Sequence, residues 1–135
     1  MRRIILVVLL VAAAACHSPT APDNQPSTVQ PHGRLAGTVT IGPNCPVETE
    51  TNPCPTSPDA YKLRKILVYN EAKTELLYTV DIDSQGAYLI DLIPARYTID
   101  LKRAGVDRTG DLPQTVDIHA NTVTMLNVNI DTGLR

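Results

Sequence analysis

The sequence predicts an all-β fold: a seven-stranded β-sandwich that follows a signal peptide and a disordered tether. Three observations carry this. From Arg34 onward apolar and polar residues alternate with a period of two, the pattern of half-buried strands. The chain has no Trp and no Phe, so five Tyr supply all aromatic packing and the core falls to Val, Ile and Leu, residues that favour strands. Turn signals ("NE", "SQG", "IPA", "AGVDRTG", "HAN") separate the apolar runs at short intervals, as in a sandwich of short strands.

The first element is the leader, "MRRIILVVLLVAAAAC". Two positive charges, an unbroken apolar run from Ile4 to Val11 and a set of small residues form the layout of a secretory signal, too short to span comfortably as a membrane helix. Ala13, Ala14, Ala15 and Cys16 resemble the lipobox of bacterial lipoproteins, with Ala13 where Leu is usual. That resemblance implies cleavage of residues 1–15 and lipidation of Cys16, whose two or more acyl chains anchor stably where one binds only reversibly. The alternative is an ordinary secretory signal cut near the Ala run, with Cys16 a free thiol. His17 rather than Asp follows Cys16, which points to the outer membrane of the cell envelope.

Residues 16–33 read as a tether: Pro19, Pro22, Pro26 and Pro31 with almost nothing apolar. In a polyproline-like state it reaches roughly 50 Å at about 3.1 Å per residue. Of 135 residues, about 100 remain for a folded domain, placed at 34–135. The formal charge is −2, and loss of Arg2 and Arg3 with the leader leaves 10 basic against 14 acidic residues, a net −4. Such a balance offers no basic face for nucleic acid.

Seven strands are expected, over 34–41, 65–69, 75–82, 87–91, 97–102, 115–119 and 122–130. By parity the core takes Leu35, Val39 and Ile41; Ile66 and Val68; Leu76, Tyr78, Val80 and Ile82; Tyr88, Ile90 and Leu92; Tyr97, Ile99 and Leu101; and Val116 and Ile118. In the last run Val123 and Met125 have one parity and Leu126, Val128 and Ile130 the other, so a bulge near Met125 is expected. No stretch after the leader has a convincing helical stripe, and "NEAKTELLY" reads as a hairpin or short turn between strands.

"DIDSQGAYLIDL" opens like a calcium loop, but its twelfth position, where an EF-hand needs a bidentate Glu, is Leu92, and no helices flank it. The expected role is a turn in which Asp83 caps free amides and Gly86 permits positive φ. With its continuation, the segment resembles the core repeat of carboxypeptidase regulatory-like domains, transthyretin-like sandwiches related in architecture to Ig-like ones. Asp83, Gly86 and Tyr88 match the first half of the motif; Leu92 or Ile93, Pro94 and Tyr97 match the second, with Ala95 where the family commonly has Gly. "GRLAGTVTI" resembles the family's opening strand, which implies that Gly37 sits close to a neighbouring chain. The resemblance spans roughly 34–130 and speaks to fold more than to function.

Cys45 and Cys54 stand nine apart in the Pro-rich "GPNCPVETETNPCPTSPDA". In an exported protein such a pair most often forms a disulfide, and closing this loop stabilises by about 2 to 3 kcal/mol. The stapled loop either presents a recognition surface with Glu48 and Glu50 exposed or only staples a long connection. Two Cys without nearby His or Cys partners argue against zinc, and no C-x-x-C spacing is present.

No pattern for catalysis emerges. His17 and His32 lie in the tether and His119 is expected to point outward. No G-x-S-x-G occurs. Asp81, Asp83, Asp91, Asp100 and Asp117 fall at parities of a solvated face. Hydroxyisourate hydrolase shares the transthyretin-like fold, yet its C-terminal Tyr-Arg-Gly-Ser signature is not matched by Thr132, Gly133, Leu134 and Arg135. The expectation is a non-catalytic, cofactor-free and metal-free envelope module. It is held to a membrane through Cys16 and binds or scaffolds an envelope protein partner. A carbohydrate-binding or adhesive module is the alternative and a small hydrolase of the hydroxyisourate type the remoter one.

Overall fold

The computed structural model describes residues 29–134. The leader, Cys16 and the tether up to residue 28 lie outside them. Eight strands form two sheets packed face to face: β1 (Gly33–Gly42), β2 (Lys65–Asn70), β3 (Leu76–Asp81), β4 (Ala87–Leu92), β5 (Ala95–Lys102), β6 (Gln114–Ile118), β7 (Val123–Met125) and β8 (Val128–Asp131). One sheet runs β4-β1-β7, with β8 continuing the β7 column along the same side of β1; the other runs β3-β2-β5-β6. Pairing with β1 is antiparallel for β4 and parallel for β7 and β8, so β1 is the spine of its sheet.

The core lies between the sheets, where alternate residues of every long strand converge. Leu35, Val39, Ile66, Val68, Leu92, Ile99, Val128 and Ile130 are almost fully buried. At about 1.5–3 kcal/mol per buried aliphatic side chain, this set supplies most of the drive to fold a chain without Trp or Phe.

Three expectations need correction. The last run is two strands rather than one bulged strand. Its parity break falls at Leu126 and Asn127, where the ladder to β1 is kept by the Leu126 N–H donating to the Ala36 carbonyl (2.9 Å) and by the Asn127 side-chain carbonyl accepting from the Thr38 N–H (3.0 Å). Leu76, expected in the core, is exposed. A register shift between Val68 and Tyr69 sets Leu76 opposite Tyr69, on the outer face, while Tyr78 stays opposite Val68. Tyr78 therefore keeps its core-facing register but is 43% exposed, because β3 ends its sheet. The third correction is a helix, α1 (Pro58–Lys62), in a stretch without a helical stripe. Ser57 caps it by accepting the Asp59 N–H, and Pro58 occupies its first turn.

Gly37 and Tyr88 face one another across β1 and β4. A Cβ at Gly37 would collide with the Leu126 carbonyl and the Tyr88 ring. Glycine there lets the break at Leu126 press against β1 and lets Tyr88 reach over it, its hydroxyl donating to the Leu126 carbonyl at 2.5 Å. Burial raises the Tyr88 hydroxyl well above the ordinary tyrosine range, so it remains a neutral donor.

Candidate functional site

β1 has two very different ends. At Gly33 the chain enters beside Asn121 and Thr122, with the Asn121 N–H donating to the His32 carbonyl and the Arg34 N–H to the Thr122 carbonyl. At Gly42 it runs into residues 43–57, the disulfide-closed loop. That second end also gathers α1, the turn at 82–86, the connection at 103–113 and the C-terminal residues 132–134.

The Cys45–Cys54 disulfide closes the loop with its Cα atoms 6.1 Å apart, an ordinary span. Beneath it Asn44 is the hub. Its side-chain amide donates to the carbonyls of Ile41 (3.0 Å) and Cys54 (3.2 Å) and to the Thr56 hydroxyl (3.0 Å), while its backbone N–H donates to the Glu48 carboxylate. Glu48 is thereby turned inward and half-buried, where the sequence suggested exposure; Glu50 at the apex is exposed. Thr49 and Asn52 exchange backbone bonds below that apex. Thr132 ties the loop base to the C-terminal segment, its N–H donating to the Gly42 carbonyl and its hydroxyl to the Pro43 carbonyl. The loop is thus a preorganised platform rather than a slack connection.

A buried ion pair fixes its neighbours. Arg64, just after α1, grips Asp107 through two parallel bonds, Nε to Oδ2 at 2.6 Å and Nη2 to Oδ1 at 2.7 Å, and donates a third to the Ala60 carbonyl at 2.7 Å. Asp107 Oδ2 also accepts the Ala104 N–H at 2.9 Å. Both residues are 6% exposed. Burial alone would raise the Asp107 carboxyl, but the Arg64 guanidinium and the Ala104 amide outweigh it and hold the carboxyl below its usual range. Sequence reasoning missed this pair, since nothing local links positions 43 apart.

An open cleft of about 370 Å³ lies beside the pair, lined by Arg108, Thr109, Gly110, Asp111, Asn129 and Asp131. Its carboxylates already serve the backbone: Asp111 accepts the Asn129 N–H at 2.6 Å and Asp131 the Gly133 N–H at 2.8 Å. None of its lining residues is aromatic, which removes the stacking platform that sugar rings favour. Among the described residues, no group of three or more His, Cys, Asp or Glu side chains is placed to hold a metal ion. His32 and His119 are exposed.

The turn residues divide between the two ends. Asp83 Oδ1 accepts the N–H groups of Gln85 and Ala87, both at 2.8 Å, and the Asp83 carbonyl accepts the Gly86 N–H. Gly86 has φ of +84°, and Tyr61 and the Val39 carbonyl crowd the space a Cβ would need. Pro94 belongs to the two-residue link from β4 to β5 at the Gly33 end of β1, where the Tyr97 hydroxyl donates to the Ile93 carbonyl at 2.8 Å. Asp83, Gly86, Tyr88, Pro94 and Tyr97 therefore shape the sandwich and do not converge on one site. Cys16 lies outside the described residues.

No protein-family model matches the chain, and no curated protein matches it. Solved structures do. A minor pilin from the gram-positive pathogen Streptococcus agalactiae superposes with a TM-score of 0.52 at 12% identity, over 76% of this chain and 45% of the pilin. The TIE protein of Bacillus anthracis gives 0.50 at 13% identity, over 75% of this chain and 16% of that one. A DUF3823 family protein from Parabacteroides merdae gives 0.45 at 16% identity, over 74% and 46%. The chain spans less than half the length of each of these proteins, and at such identities the likeness to the pilin and the TIE protein is one of fold, a small β-sandwich module.

Proposed function

We propose that this chain is a lipid-anchored module of the cell envelope, of the carboxypeptidase regulatory-like kind, that binds a partner through its disulfide-closed loop end and catalyses nothing itself. The polarity of β1 carries this reading. The tether joins at Gly33 and the loop begins beyond Gly42, so the ten residues of β1 set the two about 30 Å apart. An anchor at Cys16 would then hold the platform of Glu50, Val47 and the Cys45–Cys54 staple on the side away from the membrane. The disulfide supports an oxidising compartment outside the cytoplasm, consistent with the leader. Binding rather than catalysis is favoured because Asn44, Glu48, Asp107 and Asp111 at this end are engaged with the backbone or with Arg64.

Two measurements test the two halves of the reading. Cys16→Ser is expected to move the protein from the membrane fraction to the soluble envelope fraction; continued membrane retention would sink the anchor. A photo-crosslinking side chain at Glu50 is expected to capture a stoichiometric envelope protein that one at Asn121, at the tether end, does not. The reverse pattern would overturn the outward-facing loop. Capture of glycan rather than protein at Glu50 would instead favour the adhesive alternative.

A further inference from the structure

The two sheets differ in width. One is three columns across, namely β4, β1 and the shared β7 and β8 column, and the other is four, β3, β2, β5 and β6. On the β6 flank the gap is closed. The Thr124 hydroxyl donates to the Asp117 carbonyl, and the edge of β8 is covered by the 103–113 connection, where Arg108 and Asp131 exchange backbone bonds at 2.8 Å. On the opposite flank β4 ends the narrow sheet beside β3, and among the described residues no further strand follows it. The consequence is visible in core-facing side chains that are incompletely covered: Tyr78 on β3, and Ile90 on β4, which packs against the core yet is only half-buried. A cleft of about 270 Å³ lined by Asp81, Asp83, Ala87, Tyr88 and Leu89 opens there.

The backbone of β4 is in phase to use that space. The Val39 N–H donates to the Gly86 carbonyl at 2.7 Å, and Thr38 lies opposite Ala87. Because bonded and non-bonded pairs alternate in an antiparallel ladder, Tyr88, Ile90 and Leu92 exchange bonds with β1, whereas Ala87, Leu89 and Asp91 direct their N–H and C=O groups to the free edge. At Ala87 both are taken by Asp83, its Oδ1 accepting the N–H and its own N–H donating to the carbonyl. At Leu89 and Asp91 no strand pairs with the edge among the described residues.

We propose that this flank is a strand-acceptor site, at which an extended segment of a partner protein adds to the free edge of β4 as the missing fourth column. Leu89 and Asp91 offer two donors and two acceptors at strand spacing, and alternate inward side chains of the guest cover Tyr78 and Ile90. The rim sets the guest's charge. Asp81, Asp83 and Asp91 border the site, and although Lys65 answers Asp81 and Arg34 answers Asp91, Asp83 has no cationic partner among the ion pairs of the described residues. A second copy presenting the same acidic rim is disfavoured by like charge, and the chain's own residues 16–33 carry no alternating apolar set. The guest is therefore a strand of another protein, apolar at alternate positions and basic at its ends. The site lies along the free edge of β4, apart from the disulfide-closed loop.

The test uses the full chain and a synthetic peptide of about ten residues, alternating Val and Thr between Lys pairs. Amide hydrogen exchange at Leu89 and Asp91 is expected to slow at least about tenfold when it binds. A Glu-flanked peptide of the same core is expected to bind at least about tenfold more weakly. Leu89→Pro, which removes an N–H that β1 does not use, is expected to lose binding with little change in Tm. A Lys-flanked peptide N-methylated on alternate amides must lose binding too, and that control leaves the protein untouched. The proposal is overturned if the Lys peptide leaves the Leu89 and Asp91 amides unchanged, or if the two flanking charges bind alike. It also fails if a dimer protects those amides without peptide, which would give the edge to a second copy.

Discussion

Arg64→Ala is expected to destabilise the domain by about 3–5 kcal/mol, the usual cost of leaving one member of a buried ion pair uncompensated. The substitution removes the two bonds to Asp107 and the one to Ala60, and strands a carboxylate that is 6% exposed. Such a loss is large for a domain of this size, shifting Tm by more than about 12 °C. Replacing both partners by apolar residues, Arg64→Met with Asp107→Leu, is expected to recover most of it, because no buried charge remains. Chemical denaturation of the three proteins checks this, and a single-variant loss below about 1 kcal/mol would show that the pair does not hold the loops together.

The same pair sets an acid limit. Asp107 and Asp100 both have folded-state pKa values lowered from the ordinary carboxylate value; burial pulls each upward and is outweighed, at Asp107 mainly by Arg64 and at Asp100 mainly by Lys73. A depressed carboxyl contributes stability that is fully present above its unfolded pKa of about 3.9 and is lost as pH falls through the folded value. Stability is therefore expected to be flat near neutrality and to fall below about pH 4. Asp107→Asn should flatten part of that fall.

Gly37→Ala is the second large effect, expected at about 3 kcal/mol. The added methyl meets the backbone carbonyl of Leu126 well inside contact distance, and backbone cannot yield as a flexible side chain does. Reduced freedom of the unfolded chain favours alanine by only about 0.4–1 kcal/mol, too little to reverse the sign. Gly110→Ala is the matched control, since a Cβ there meets nothing within 4 Å, and it is expected to be neutral or slightly stabilising. Thermal unfolding of the two variants decides the matter: equal Tm values would mean that β1 and the Leu126 break are not pressed together.

What could be read from the chain follows from the range of the physics involved. Strand positions came through well because a period of two is written locally, and Leu35, Val39, Ile66, Ile99 and Ile118 are buried where parity put them. Leu76 failed because its face was decided by a register shift against β2, a property of two strands and not of one. The split at Leu126 was visible as a parity conflict, but only the structure shows Gly37, Tyr88 and Asn127 resolving it together. The helix α1 is five residues long, too short for periodicity, yet Ser57 followed by Pro58 is a start signal that could have been used. The platform was half legible: two cysteines behind a secretory-type leader sequence predicted the staple, whereas the Asn44 hub and the Arg64–Asp107 grip are long-range contacts between residues unremarkable in their own neighbourhoods.

The direct passage from the N-terminal side of Gly33 through β1 to the disulfide loop also has a mechanical meaning. If a partner pulls on the loop apex while the N-terminus is held, tension runs through Cys45 and the covalent backbone of β1 to Gly33, and the rest of the chain hangs from that line without bearing load. Neither the interstrand ladders nor the core is asked to resist. Pulling between the N-terminus and Leu134 instead loads the parallel pairing of β1 with β8 in shear. A single-molecule experiment is expected to record an unfolding step in the second geometry and none in the first, so that an attachment at the loop outlasts the forces that would unravel the domain from its other end.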